Sequence, residues 1–257
     1  MTNAISIHEL SKKFKTGSLI GGRKEVTALN GVSLDVRQGE VFGLLGKNGA
    51  GKTTLIRILA GLVRPTGGSA TVFDLDVVKE SIKVRRRIAL LPQEASCYEA
   101  LTAEENIRYY GGMHGGLSDA DLKRRTNELI ELVGLEDRAN DKTKEFSGGM
   151  KRKVLVARAL VSDPDLIFLD EPTTGIDILG ARVIRNLIKK LSKEMNKTFF
   201  LTTHDLTDLT ELCDRVGIIH EGRLIALGTP DELEEKFKSS GLEDLFIGLT
   251  TGEIDFE

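Results

Sequence analysis

The sequence predicts an α/β fold in which a mainly parallel sheet follows a set of antiparallel strands and is interrupted by helices. Three observations lead to this prediction. Short apolar stretches alternate with helical patterns before and after the middle of the chain, an order typical of parallel sheets. A glycine-rich turn joins one apolar stretch, residues 40–45, to a helical pattern over 52–60. The middle, from about residue 94 to 162, carries helical periodicity and capping signals instead.

The opening of the chain favours antiparallel strands. Residues 4–10 alternate weakly between apolar and polar side chains and predict an edge strand. The apolar residues Leu29, Val32, Leu34 and Val36 predict a second strand, which ends at the Gln38-Gly39 turn. Between them, residues 16–23 contain several glycines and predict a long, flexible hairpin connection.

Later elements are predicted from short apolar runs and from residues that cap helices. Strands are expected at 69–73, 88–92, 166–169 and 198–203, and a hairpin is expected from 216–220 with 223–226. Helices are expected to begin at Thr102, Ser118, Ser147 and Thr229, and a longer helix at 178–195. Because strands and helices alternate, we expect ligands at the carboxyl edge of the sheet.

The composition is ordinary for a globular protein. The chain has 257 residues, of which 40% are hydrophobic and 29% charged, so it suits one large α/β domain with a subdomain or two small domains. A net charge of −3 and a pI near 5.9 give no general attraction to nucleic acid or to anionic lipid. We therefore expect no nucleic-acid partner.

Cysteine content and hydropathy indicate the cellular compartment of the protein. The two cysteines, Cys97 and Cys213, are far apart in sequence, which excludes a disulfide framework and a cysteine-based zinc site and suits a reducing compartment. No charged-then-apolar signal segment opens the chain, and no apolar run approaches the roughly 20 residues that span a bilayer. These features predict a cytoplasmic protein that does not cross a membrane alone.

The glycine-rich turn fits the pattern G-x-x-x-x-G-K-[ST], which forms a phosphate-binding loop between a strand and a helix. Its glycines allow backbone N–H groups to close around a β-phosphate, and the helix N-terminus adds partial positive charge. Lys52 is expected to reach the β- and γ-phosphates, and the Thr53 hydroxyl to bind Mg²⁺. The predicted nucleoside triphosphate site consists of Gly46, Lys47, Asn48, Gly49, Ala50, Gly51, Lys52, Thr53 and Thr54.

A second site is predicted where the apolar strand 166–169 ends in two acidic residues. At the carboxyl edge of a parallel sheet, Asp170 is placed to hold Mg²⁺ through water beside Thr53. Glu171, the next residue, is placed to polarise an attacking water. The alternative interpretation is a solvated acidic turn. It is less favoured because the same chain carries the phosphate-binding loop.

The segment Phe146-Ser147-Gly148-Gly149-Met150-Lys151-Arg152 resembles the LSGGQ-type signature of ATP-binding cassette (ABC) transporters. Together with the phosphate-binding loop and the acidic strand end, it makes residues 1–228 similar to the nucleotide-binding subunit of that family. A serine N-cap and two glycines leave N–H groups at a helix start unobstructed. In the family this helix end faces the γ-phosphate held by the opposite subunit, which implies that Ser147, Gly148 and Gly149 bind ATP within a dimer.

The resemblance also implies an architecture. The expected fold is a P-loop NTPase (RecA-like) core over 1–93 and 163–228, with a small N-terminal antiparallel β-subdomain. An inserted α-helical subdomain is expected over 94–162, and a short helical tail over 229–257.

Other family roles transfer residue by residue. Gln93 matches the glutamine that senses Mg²⁺ and water, so the expected metal ligands are Thr53, Gln93 and Asp170. His204 matches the histidine that touches the γ-phosphate and is, with Glu171, an expected catalytic residue. Asp177 lies in the loop that the family places at the dimer seam, and Phe14 matches the aromatic residue that stacks on adenine. Phe146, Ile176 and Ile178 depart from the family pattern but remain apolar.

The function implied is ATP hydrolysis, with ATP and Mg²⁺, by a homodimer that drives an integral membrane permease from the cytoplasmic face. The short tail over 241–250 resembles exporters of the drug, lipid or polysaccharide type. Two alternatives remain, a soluble ABC ATPase acting in cofactor assembly and an importer subunit. A P-loop kinase or GTPase is disfavoured because the chain carries Ser147-Gly148-Gly149 and lacks a guanine-reading Asn-Lys-x-Asp motif.

A contact surface for the permease is expected beside Gln93, in a groove between the core and the helical subdomain. The stretch 95–101 is apolar and aromatic, the composition of an interface anchor. Tyr98 and Leu101 are the candidate anchors, and the alternative is that both pack inside the helical subdomain.

Overall fold

The computed structural model describes residues 2–16, 24–239 and 241–254, except for the side chain of His114. The chain divides into two compact units, one over Met1–Arg86 and Thr198–Glu257 and the other over Arg87–Lys197. The flexible connection predicted over 16–23 lies, apart from Thr16, outside the described residues.

Strands and helices alternate along most of the described chain. In chain order they are β1 (Asn3–Thr16), β2 (Lys24–Arg37), β3 (Val41–Leu45), α1 (Lys52–Leu59), β4 (Gly67–Val72), β5 (Leu75–Asp76), α2 (Ser81–Arg87), β6 (Ile88–Leu91), α3 (Ala103–His114), α4 (Asp119–Leu132), α5 (Gly148–Leu160), β7 (Leu166–Asp170), α6 (Ile178–Met195), β8 (Thr198–Thr203), α7 (Leu206–Leu212), β9 (Arg215–His220), β10 (Arg223–Gly228), α8 (Pro230–Phe237) and α9 (Leu242–Thr251). The predicted helices and strands are confirmed, and β5, α2 and α7 are additional elements that the sequence patterns did not indicate.

The first unit contains an antiparallel sheet in the order β2-β1-β4-β5. Strand β1 pairs with β2 on one side and with β4 on the other, so that Ile7 lies opposite both Leu34 and Ala70. The prediction of an edge strand over 4–10 is therefore wrong. Side-chain alternation reports which face is buried, and Ile5, Ile7 and Leu10 are buried, but it does not report whether one or both backbone edges are paired.

The first unit also contains the strands of the phosphate-binding loop, in the order β10-β9-β3-β8. Strand β3 is buried along its whole length and runs parallel to both β8 and β9. Strands β9 and β10 form the predicted hairpin across Glu221-Gly222. The core around β3 is aromatic, since Phe42 and Phe200 are fully buried with ring centroids 5.2 Å apart. A strand buried on both faces reads as a continuous apolar run, as this one does.

The second unit combines the parallel strand pair β6 and β7 with helices α3 to α6. Each of these helices starts at a residue whose side chain accepts a backbone N–H from the first turn. The capping residues are Thr102, Ser118, Ser147 and Asp177. Among the described residues, no helix is both long enough and apolar enough to span a membrane.

One buried amide organises the start of α3. Asn106, which has no exposed surface, accepts a hydrogen bond from the backbone N–H of Tyr98 at 2.9 Å. Its Nδ2 donates to the carbonyls of Tyr98 and Thr102 at 3.1 and 2.8 Å. The Thr143 hydroxyl donates to the same Tyr98 carbonyl at 3.1 Å. The backbone of Tyr98 is therefore fixed by buried side chains, which sets the direction in which its ring projects.

We predict that Asn106→Ala lowers the free energy of unfolding by about 1–3 kcal/mol, because it leaves the backbone N–H of Tyr98 without its partner and removes one donor from the carbonyls of Tyr98 and Thr102. The matched control, Asn127→Ala on the exposed face of α4, is expected to change it by less than about 0.5 kcal/mol. Denaturant unfolding followed by circular dichroism measures both. Equal effects of the two substitutions would show that the network contributes nothing specific.

Candidate functional site

The loop between β3 and α1 has the backbone geometry that its glycines predict. Gly49 and Gly51 adopt φ values of 84° and 109°, in the left-handed region that other residues rarely occupy. A Cβ atom on Gly51 would lie 2.4 Å from the carbonyl oxygen of Ala28, and one on Gly46 would lie 2.6 Å from that of Ile219. At both positions neighbouring backbone leaves room for glycine alone.

Lys52, the first residue of α1, lies back over this loop and is only 6% exposed. Its Nζ donates to the carbonyl oxygen of Gly46 at 2.5 Å and approaches that of Lys47 at 3.4 Å. Thr53 and Thr54 follow in the first helical turn and are partly exposed, whereas Lys47, Asn48 and Gly49 are exposed. A buried cation thus stands beside a set of backbone donors, an arrangement suited to a polyphosphate.

His204 follows β8, the parallel neighbour of β3. Leu45, the last residue of β3, pairs with Thr203, the last residue of β8, so the phosphate-binding loop and His204 leave the sheet at the same edge. The turn after β8 is held by Thr203, whose hydroxyl accepts from the backbone N–H of Asp205 at 2.9 Å and donates to Asp208 at 3.2 Å. The His204 side chain is exposed. The first unit therefore places His204 and the loop at the same edge of the sheet.

Phe14 lies on β1 with 38% of its surface exposed, and the Lys12 ammonium is 4.8 Å from its ring centroid. Its cross-strand partner on β2 is Val26. Ala28, whose carbonyl lies against Gly51, is two residues further along the same strand, a rise of about 7 Å. An exposed aromatic ring thus stands on the strand next to the one that borders the loop.

In the second unit, β7 ends in the two predicted acidic residues. Asp170 and Glu171 are each only 5% exposed. Glu171 has a φ of 51°, a left-handed conformation that costs a non-glycine residue roughly 1–2 kcal/mol. The alternative of a solvated acidic turn does not hold for these residues, because both side chains are buried.

The Glu171 carboxylate is oriented by neighbouring side chains. Thr174 Oγ1 donates to Glu171 Oε2 at 3.0 Å, and Gln93 Nε2 donates to the same oxygen at 3.3 Å. Gln93 reaches this oxygen because β6 and β7 run in parallel, with Leu91 opposite Leu169. Gln93 lies two residues after Leu91, and Glu171 lies two residues after Leu169. The second unit therefore brings together Gln93 and Glu171, which are 78 residues apart in sequence.

Arg152, on α5, contacts the backbone of the same two acidic residues. Its Nη2 lies 3.2 Å from the carbonyl oxygen of Glu171 and 3.5 Å from that of Asp170. The side chain is 7% exposed, and burial lowers the pKa of the guanidinium to about 10, partly offset by the Asp170 carboxylate. No motif in the sequence predicted this role of Arg152. Its helical spacing to Leu155 and Ala159, which places it on the apolar face, was a usable signal.

The signature segment forms the start of α5. Ser147 Oγ accepts from the backbone N–H of Met150 at 3.3 Å, so the predicted N-cap is present. A Cβ atom on Gly149 would lie 3.3 Å from the Cα of Gly180 on α6, whereas Gly148 has more space around it. Asp177 caps α6 by accepting from Gly180 N–H at 2.9 Å and is exposed. Both helix starts belong to the second unit.

The chain is similar to known proteins of one family. Residues 29–174 match the family model described as ABC transporter. NatA, an ABC transporter ATP-binding protein of Bacillus subtilis, is 39% identical over 244 residues, covering 95% of this chain and 96% of NatA. The linearmycin resistance ATP-binding protein LnrL of the same organism is 43% identical over 89% of this chain and 72% of LnrL. The daunorubicin/doxorubicin resistance ATP-binding protein DrrA of Streptomyces peucetius is 41% identical over 90% and 70%.

Solved structures show the same relationship. An ATP-binding subunit of an ABC transporter superposes with a TM-score of 0.79 at 31% identity, covering 97% of this chain and all of that one. A dimeric ATP-binding cassette, in a post-hydrolysis state bound to ADP and Pi, superposes with a TM-score of 0.76 at 28% identity over 88% and 98%. The predicted α/β P-loop fold is confirmed. This chain belongs to the ABC transporter family, as one of its ATP-binding, ATP-hydrolysing proteins.

Proposed function

We propose that this ABC ATPase works as a homodimer that closes around two ATP molecules and drives export through a membrane permease. The observation that carries the proposal is the pairing of Leu45 with Thr203, because it brings Lys52 with its loop and His204 to one edge of the sheet. A phosphate-binding loop next to a histidine suits recognition of a terminal phosphate.

The proposed nucleotide contacts in the first unit follow from its geometry. The loop from Gly46 to Thr54 surrounds the phosphates, and the Lys52 ammonium moves from carbonyl oxygens to phosphate oxygens. Phe14 stacks on adenine, which is supported by its exposed ring and by its position near the strand that borders Gly51. His204 contacts the γ-phosphate.

In the second unit we assign Glu171 as the residue that polarises the attacking water. Its support is a buried carboxylate held in one orientation by Thr174 and Gln93. The residues assigned to Mg²⁺ are Thr53, Gln93 and Asp170, all with oxygen donors of the kind that this ion prefers. Bound Mg²⁺ would neutralise charge on the phosphates during transfer.

A second copy of the chain supplies the remaining contacts. Ser147, Gly148 and Gly149 at the start of α5 would bind the γ-phosphate held by the partner copy, with Asp177 at the dimer seam. The unobstructed N–H groups of a capped helix start support this role. The related cassette that was solved with ADP and Pi is dimeric.

Export is the direction favoured by the relatives. LnrL and DrrA are named for linearmycin and daunorubicin/doxorubicin resistance. We therefore propose that this subunit lies at the cytoplasmic face of the membrane, held there by its permease. The substrate is then recognised by the permease.

The permease surface that we propose lies on the second unit around Tyr98. Tyr98 and Tyr109 are 46% and 52% exposed, and their rings meet edge to face with centroids 5.2 Å apart. Nearby, Tyr110 and Arg158 line a cavity of about 200 Å³ together with Pro92, next to Gln93. Leu101 is half-buried, which makes Tyr98 the better anchor of the two candidates.

We predict that Lys52→Ala lowers ATP turnover by about two to three orders of magnitude, because it removes a charge-assisted contact to the phosphates. Phosphate release measured on purified protein tests this. Lys79→Ala, on an exposed surface of the same unit, is the control and is expected to leave turnover unchanged. Near-normal turnover in Lys52→Ala would refute the assignment of the loop.

A second prediction is that Glu171→Gln binds ATP but hydrolyses it very slowly, so that ATP holds the closed dimer together. The amide keeps the shape of the side chain and loses the basic oxygen. Size-exclusion chromatography with and without ATP measures the dimer, and the unaltered protein is the control. A variant that stays monomeric at high protein and ATP concentrations would contradict the two-copy site.

A third prediction is that Tyr98→Ala weakens permease binding by about 1–2 kcal/mol and leaves basal ATP hydrolysis near normal. Copurification with the cognate membrane subunit and ATPase assays of the isolated protein measure the two effects. Leu62→Ala, which alters an exposed apolar residue of the first unit, is the control. Unchanged copurification would count against the surface, and loss of basal hydrolysis would make Tyr98 structural.

A further inference from the structure

We infer that Arg152 is a positioning residue for ATP hydrolysis, which fixes the backbone turn that aims the Glu171 carboxylate. This inference rests on the proposed function, because Glu171 is its target. Arg152 does not touch the reacting atoms in this scheme, and its effect is exerted through the main chain of Asp170 and Glu171.

Arg152 contacts the backbone of the turn that carries Glu171. Arg152 Nη2 lies 3.2 and 3.5 Å from the carbonyl oxygens of Glu171 and Asp170, which belong to the two peptide groups that follow and precede Glu171 at the end of β7. Glu171 stands there in a left-handed conformation with a φ of 51°. A donor that binds both carbonyl oxygens restrains the backbone of this turn. It thereby helps to hold Glu171 in the left-handed conformation, which a non-glycine residue keeps only when its surroundings impose it.

The direction of the Glu171 side chain is fixed by two hydrogen-bond donors. Its Oε2 accepts from Thr174 at 3.0 Å and from Gln93 at 3.3 Å. These partners hold the end of the side chain, and Arg152 holds its base. A rotation of the backbone by a few tens of degrees would carry the carboxylate away from both donors, and misplacement by about 1 Å is enough to lower a catalytic rate a hundredfold.

Stability alone is a weak explanation for the buried guanidinium of Arg152. Arg152 is 7% exposed, and its Nε has no hydrogen-bond partner among the described residues. A buried charge whose hydrogen bonds are incomplete has a desolvation cost that its contacts offset only in part. Burial lowers the pKa of Arg152 to about 10, which still leaves the guanidinium protonated at neutral pH. The protein therefore keeps this charge in spite of the free energy that its desolvation costs.

The test compares Arg152→Met with Arg152→Lys and with the control Lys153→Gln in the full chain. Lys153 is the next residue of α5, and its Nζ donates to the carbonyl oxygen of Gly134, away from Glu171. For Arg152→Met we expect a protein that still folds, as circular dichroism reports, and a kcat that falls about ten- to a hundredfold with KM for ATP within about threefold. Arg152→Lys keeps the positive charge on a shorter side chain and should recover part of the lost kcat, and Lys153→Gln should match the unaltered protein.

The effect must also depend on Glu171. In the Glu171→Gln background, Arg152→Met should cause no further loss of the residual single-turnover rate, since the two residues act as one unit. A full additional loss in that background would overturn the inference, as would an unchanged kcat in folded Arg152→Met. If both Arg152→Met and Arg152→Lys fail to fold, Arg152 is structural and the inference is wrong. Normal activity in Glu171→Gln alone would refute the proposed function itself, whatever the Arg152 variants show.

Discussion

The register of paired parallel strands is the constraint on which the candidate residues of each unit depend. In the first unit, the pairing of Leu45 with Thr203 makes the phosphate-binding loop and His204 neighbours across 150 residues of sequence. In the second, the pairing of Leu91 with Leu169 does the same for Gln93 and Glu171. A shift by one residue would turn every side chain of a strand to the opposite face. Buried apolar residues on both faces make such a shift unfavourable, so core packing fixes the chemistry at the strand ends.

Much of this arrangement could be predicted because the signals are local. The phosphate-binding loop needs glycine at positions of positive φ or of close approach, and Gly46, Gly49 and Gly51 meet that need in the structure. Helix starts at Thr102 and Ser147 are set by side chains that bond to their own first turn. Apolar runs such as β3 and β7 are continuous because both of their faces are buried.

The features that escaped prediction depend on contacts between distant segments. Whether β1 is paired on one edge or on two depends on backbone hydrogen bonds, which leave no trace in side-chain alternation. Asn106 reads as an ordinary helical residue until the chain brings Tyr98 and Thr143 against its amide. Arg152 lies within a basic triplet that resembles a solvated surface, and only the approach of β7 gives it partners. Helical phase could have separated it from its neighbours, because it shares a face with Leu155.

The contacts of Lys52 with its own loop influence which anions the loop can select. The Lys52 ammonium already donates to the carbonyl oxygens of Gly46 and Lys47. The free energy gained when a ligand binds is therefore only the difference between its own contacts with the ammonium and the contacts that it displaces. Oxygens that carry formal negative charge bind an ammonium more strongly than neutral carbonyls do. A polyphosphate offers several such oxygens, whereas a singly charged ion offers little beyond what the loop provides. The loop thus discriminates by charge density, before any sugar or base is recognised.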